Sequence, residues 1–124
     1  MTIYYAHSMH LYDKPQEERD IQLLKSLGFT VYNPNSPGIQ VEVEEYRTKH
    51  GDENVMDYFK QLLESCDAIA FRAHPDGKIP GGVMFEVNYM KGLSKPIIEL
   101  PTLTSTRALS VEDTREYLKL LGQR

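Results

Sequence analysis

Short apolar runs alternate along this chain with longer segments of helical period. Thr2 to Ala6 is β-branched and aromatic and ends at the polar turn His7, Ser8, Met9, His10, which predicts a buried strand with ligand-contacting positions just beyond it. From Asp13 a helix is marked by Pro15 in its first turn, by Glu17 and Glu18 nearby, and by Ile21, Leu24 and Leu27 before Gly28. Phe29 to Tyr32 predicts a second strand, stopped by a turn-forming run from Asn33 to Gly38. Residues 39–55 combine an alternating start with an acidic centre; a short helix ending at Gly51 fits them, as does a mobile excursion, and we read them as the excursion.

From Met56 the apolar positions Phe59, Leu62, Leu63 and Cys66 keep a helical period as far as Asp67, and Ala68 to Phe71 follows as a third strand. A polar loop from Arg72 to Pro80 leads through Gly81 and Gly82 into a helix with Val83, Val87 and Met90 on one face. Lys95 and Pro96 introduce a fourth strand, Ile97 to Leu100, and Ser110 with Asp113 makes a capping-box-like start for a last helix over Val111 to Leu121. Strands alternating with helices through short connections predict one α/β domain over residues 1–124, a three-layer sandwich with a mostly parallel sheet of four or five strands.

Composition narrows the range of functions. Of the 124 residues 40% are apolar and 26% charged, the balance of a globular chain, and the net charge of −4 gives no basic surface for a nucleic acid polymer. The single cysteine, Cys66, cannot make an internal disulfide and reads as a buried apolar residue in a reducing, cytoplasmic setting. No stretch has the length of a membrane span, and the first residues lack a secretion signal, so neither membrane insertion nor export is expected. His7, His10, His50 and His74 have no paired Cys or acid spacing to make them metal ligands, and no metal or cofactor is expected.

In an open parallel sheet the ligand crevice lies beyond the carboxyl ends of the strands. Glu86 falls near the start of the helix after strand three, where the helix dipole would favour its ionised form. By position it is an ordinary first-turn acid; flanked by Val83, Met84, Phe85 and Val87, it is also a lone acid in an apolar run, which is costly unless something uses it. Gly81 and Gly82 before that helix could cradle a phosphate with backbone amides or simply end a loop. Asp57 reads as a capping or first-turn acid, and Ser8 as a turn residue.

The segment from Gly82 to Pro101, with a Gly-x-x-x-Glu helix start running into Lys95-Pro96-Ile97, resembles the nucleoside 2-deoxyribosyltransferase family. Asp57 stands ten residues before Asp67, the spacing of that family's aspartate, and Tyr4 is in register with its first-strand tyrosine. The resemblance implies a doubly wound, flavodoxin- or Rossmann-like fold and cleavage of the N-glycosidic bond of a nucleoside or nucleoside 5'-monophosphate. It makes Glu86 the nucleophile, Tyr4 its orienting hydrogen-bond partner and Asp57 the group that assists the departing base. The family's base-recognising aspartate, six residues before the nucleophile, is Pro80 here, and Asp76 is the nearest substitute. A hydrolase branch of the superfamily places a phosphate-binding serine at Ser8 and an arginine at His10. Transfer to a second base and hydrolysis both remain open, as does a non-catalytic protein that senses a nucleotide or an ADP-ribose-like ligand. A homodimer or higher homo-oligomer is also implied, since family members complete each site with a neighbouring subunit.

Overall fold

The computed structural model describes residues 1–74 and 76–100. The helix expected over Val111 to Leu121 lies outside them. Four parallel strands, β1 (Thr2–Ala6), β2 (Thr30–Tyr32), β3 (Ala68–Phe71) and β4 (Ile97–Glu99), form one sheet in the order β2-β1-β3-β4. The helices α1 (Pro15–Ser26), α2 (Pro37–His50), α3 (Val55–Glu64) and α4 (Gly81–Gly92) make the connections. The architecture is the expected single-sheet, Rossmann-like sandwich.

Alternation along the central strands divides the interior in two. Ile3 and Tyr5 of β1, with Ala68 and Ala70 of β3, pack on Leu24 of α1. Tyr4, Ala6, Ile69 and Phe71 point the other way and pack on Leu63 of α3 and on Val83, Val87 and Met90 of α4. Because β1 is flanked by β2 on one side and β3 on the other, the chain reverses its direction of winding there. The carboxyl ends of β1 and β3 therefore open a crevice.

Two side chains, Lys95 and Asp67, hold this frame. The Lys95 ammonium donates to the carbonyls of Cys66 at 2.6 Å, Glu64 at 2.7 Å and Leu63 at 3.4 Å, closing the carboxyl end of α3, where a cation is favoured. Asp67 accepts from the backbone N–H of Thr2 at 2.8 Å and from its hydroxyl at 3.0 Å, which pins the start of β1 and holds the Asp67 carboxyl below its usual range.

The excursion read over residues 39–55 is instead α2, followed by a short 3-10 turn at Asp52–Asn54. Val43 alone among its residues is buried, so the helix lacks the apolar stripe by which helices are read from sequence. Pro37 marks its start and Gly51, with φ 91°, its end. The chain reverses at Gly51 in a conformation that a side chain rarely adopts.

Candidate functional site

A cavity of about 350 Å³ occupies the crevice, within the size range of small-molecule pockets. One wall is Tyr4 together with the turn after β1, from which His7, Ser8, Met9, His10 and Tyr12 reach the cavity. The opposite wall is the start of α4, with Pro80, Gly82, Val83 and Glu86. Pro34 closes one side, and Met56 and Phe59 of α3 another.

Glu86 is the acid of this cavity. Val83, Val87 and Met90 set the sheet-facing stripe of α4, and Glu86, three residues after Val83, lies along it. It stands in the second turn of the helix, since α4 begins at Gly81 and carries no acid in its first turn. The dipole effect fades beyond the first turn. Burial accordingly wins: it raises the carboxyl from its ordinary 4.5 to about 7, against the opposing effect of a hydrogen bond from Tyr4. The persistently ionised Glu86 expected from the helix terminus is thus replaced by one that titrates near neutrality. The Tyr4 phenol is held well above its ordinary range, by burial first and by Glu86 second, and so remains a donor.

The other expected residues divide. Ser8 and His10 line the cavity; the Ser8 hydroxyl oxygen accepts from the His10 N–H at 3.2 Å and caps the 3-10 turn Met9–Leu11, so its turn role is realised at a cavity-lining position. Gly82 lines the cavity and Gly81 is the exposed first residue of α4. A β-carbon on either would meet nothing within 4 Å, so packing does not require glycine there. Asp57 is an exposed first-turn acid of α3, and its neighbours Met56 and Phe59, not Asp57, form the cavity wall. Asp76 is exposed on the loop after β3 and accepts from the Lys78 N–H at 2.9 Å, turned to its own loop and away from the lining. Pro80, where the family has a base-recognising acid, does line the cavity.

A buried polar network behind the β1 wall was not expected from the sequence. Arg72, directly after β3, donates to Asp20 through Nε at 2.6 Å and through Nη2 at 2.7 Å. Gln16 adds a third donor at 2.8 Å and the Tyr5 hydroxyl a fourth, so both carboxylate oxygens are doubly engaged. Alongside, Glu17 Oε2 lies 2.7 Å from His7 Nε2, and the Glu17 carboxylate accepts from the Asp13 N–H at 3.3 Å and from Asn35 Nδ2 at 3.2 Å. His7 Nδ1 lies 3.0 Å from the Tyr5 carbonyl, which can only accept, so that nitrogen carries a proton. The available signal was spacing: Glu17 and Asp20 fall on the same face of α1 as Leu24, and acids on an apolar face need partners.

Among the described residues no three His, Cys, Asp or Glu side chains gather as a metal site, and no helix is long and apolar enough to cross a membrane. Cys66 is buried, and burial pushes its thiol up to about 11.

The fold is a parallel α/β sandwich whose winding reversal opens a cavity of small-molecule size, with a carboxyl and a phenol in its lining. The family described as nucleoside 2-deoxyribosyltransferase matches residues 3–121 of the 124, and the chain belongs to it. It is accordingly a glycosyltransferase-type nucleoside enzyme with small-molecule nucleoside substrates. Among curated proteins no relative matches the sequence.

Proposed function

We propose that this protein cleaves the N-glycosidic bond of a deoxynucleoside or its 5'-monophosphate, with Glu86 as nucleophile. The observation that carries this reading is the pairing of Glu86 with the Tyr4 phenol at one cavity, in a chain of the deoxyribosyltransferase family. A Glu86 oxygen attacks the anomeric carbon as the carbon–nitrogen bond breaks; the bonding pair leaves with the base nitrogen, and a proton joins the base. The sugar is then held as an ester of Glu86 until an acceptor attacks the same carbon. Two inversions restore the starting configuration.

Tyr4 orients the carboxylate and, through its hydrogen bond, favours the ionised form that attacks. Asp57 is assigned the proton for the base by resemblance. From the exposed first turn of α3, next to the cavity-lining Met56, it would act at the rim, under the second subunit that the resemblance calls for. Ser8 and His10 would meet the 5' end of the substrate, and Gly81 and Gly82 leave room for it at the start of α4. Asp76 would have to swing away from Lys78 to meet a base, so base recognition is assigned to it only by resemblance.

The acceptor is the second question, and Pro80 favours water. An apolar side chain stands in the cavity wall where an acid would hydrogen-bond an incoming base. A buried polar contact of that kind contributes much of the discrimination between ligands. Incubation with each deoxynucleoside and its 5'-monophosphate, with and without a second base, tests the whole reading. Free base alone identifies a hydrolase and a new nucleoside a transferase. Absence of turnover, combined with unchanged ligand binding by Glu86→Ala, would leave a ligand-sensing protein.

A further inference from the structure

One hydroxyl in the cavity has no task in the reading above. The hydroxyls of Tyr5, Tyr58 and Tyr89 each donate to a carboxylate, of Asp20, Glu42 and Glu64 respectively. Tyr12 lines the cavity with Glu86, yet its hydroxyl has no hydrogen-bond partner among the described residues. No buried side-chain oxygen there lacks a partner, and Tyr12 is only half-buried, so this oxygen opens on solvent at the cavity.

The ring that carries it is firmly placed. His7 stacks on Tyr5 with centroids 3.9 Å apart and planes 9° from parallel, and Tyr12 packs against the same imidazole at 5.1 Å and 56°. His7 cannot rotate without giving up both of its hydrogen bonds, to the Tyr5 carbonyl and to Glu17. Glu17 in turn ties down Asp13, the residue after Tyr12, and Asn35, the residue after the cavity-lining Pro34. A pocket group whose supports are fixed by hydrogen bonds is preorganised, which is what selective recognition requires.

We infer that Tyr12 is a substrate-binding residue whose hydroxyl donates a hydrogen bond to a sugar hydroxyl oxygen, with His7 and Glu17 as its positioning residues. The inference rests on the proposed nucleoside reaction, because a group beside the nucleophile meets the sugar that the nucleophile attacks. The electrostatics agree: burial, then Glu86, then Glu17 push the Tyr12 phenol up to about 12, so it is a donor throughout the working range.

The test is a cycle between protein and ligand in a background that cannot turn over. Binding of 2'-deoxynucleosides, and of analogues lacking the 3'- or the 5'-hydroxyl, is measured by calorimetry for E86A and for Y12F/E86A. Turnover is followed in parallel for wild type and Y12F, and thermal melting checks that each variant folds. Loss of one neutral hydrogen bond weakens binding about five- to tenfold. The expected result is that loss for the parent deoxynucleoside and none for one of the two analogues. H7Q should reproduce part of it as a raised KM at nearly unchanged kcat, which simple destabilisation would not produce. Equal binding by E86A and Y12F/E86A, or a Y12F effect of the same size on every analogue, overturns the inference even if wild type turns nucleosides over. Turnover absent in wild type while the Y12F difference in binding persists overturns the proposed reaction and leaves Tyr12 as a ligand contact. Neither turnover nor binding with any of these ligands overturns both.

Discussion

Tyr4 and Tyr5 are adjacent, both are buried, and both donate towards a carboxyl group, yet they stand on opposite faces of β1 and at sites of opposite character. On the Tyr5 face, Asp20 receives four donors, two of them from Arg72, and nothing is left to react. On the Tyr4 face, Glu86 has one phenol and an open cavity, and burial pushes it up to about 7. Saturation makes the first carboxylate a structural element. The second carboxyl keeps room for a ligand beside it, and titratable groups perturbed in a cleft are candidates for chemistry.

Replacing each acid should separate these roles. On the proposed reaction, Glu86→Gln removes the nucleophile and is expected to reduce base release on the order of a thousandfold or more. It should also stabilise the fold. In wild type the folded state keeps the Glu86 proton up to about pH 7, whereas the unfolded state releases it near 4.5. Stability should therefore fall as pH rises from about 4.5 to about 7, and the deficit should persist above that window. Melting temperatures of wild type and Glu86→Gln should diverge across this interval. Parallel curves would mean that the carboxyl is not held protonated by burial.

On the other face the effect is on stability. Arg72→Ala leaves the buried Asp20 charge without its main partner and should cost about 3–5 kcal/mol in urea denaturation. A smaller loss would show that Asp20 is less sequestered than its 2% exposure implies.

Tyr4→Phe removes the hydrogen bond that lowers the Glu86 pKa, so the acidic limb of the rate profile should move to higher pH. At neutral pH the rate should drop about tenfold, as for the loss of one hydrogen bond to a charged group, and recover partly in alkali. Tyr5→Phe should leave the profile in place and appear only in stability. The smallest change expected is in Lys95→Met, which uncaps α3 and should cost about 1 kcal/mol in thermal or urea unfolding without a change in KM.

Much of the frame is legible in the residue order. β1 and β3 are short runs without a charged residue, and their bounds are those read from the pattern, because a strand buried on both faces leaves no charged positions to blur them. α1, α3 and α4 carry apolar stripes. α2 does not, since it buries one residue, and the same acids that fit a helix surface fit a loop. At the site, Glu86 and Tyr4 emerge from local pattern and resemblance. Asp57 and Asp76 stand in the first turn of α3 and on the loop after β3, where residue order places them, and the direction each faces is set by the tertiary structure.

The α/β order and the position of the crevice follow from residue order, because period and turn chemistry act over a few residues. Tertiary structure alone decided the protonation of Glu86 and the partners of Asp20 and Glu17. Those depend on how much water is excluded and on which donors arrive from distant segments: Arg72 is 52 residues from Asp20, and Asn35 is 18 from Glu17. Electrostatic energies follow distance and solvent exposure in space, and neither is written in the local order of residues.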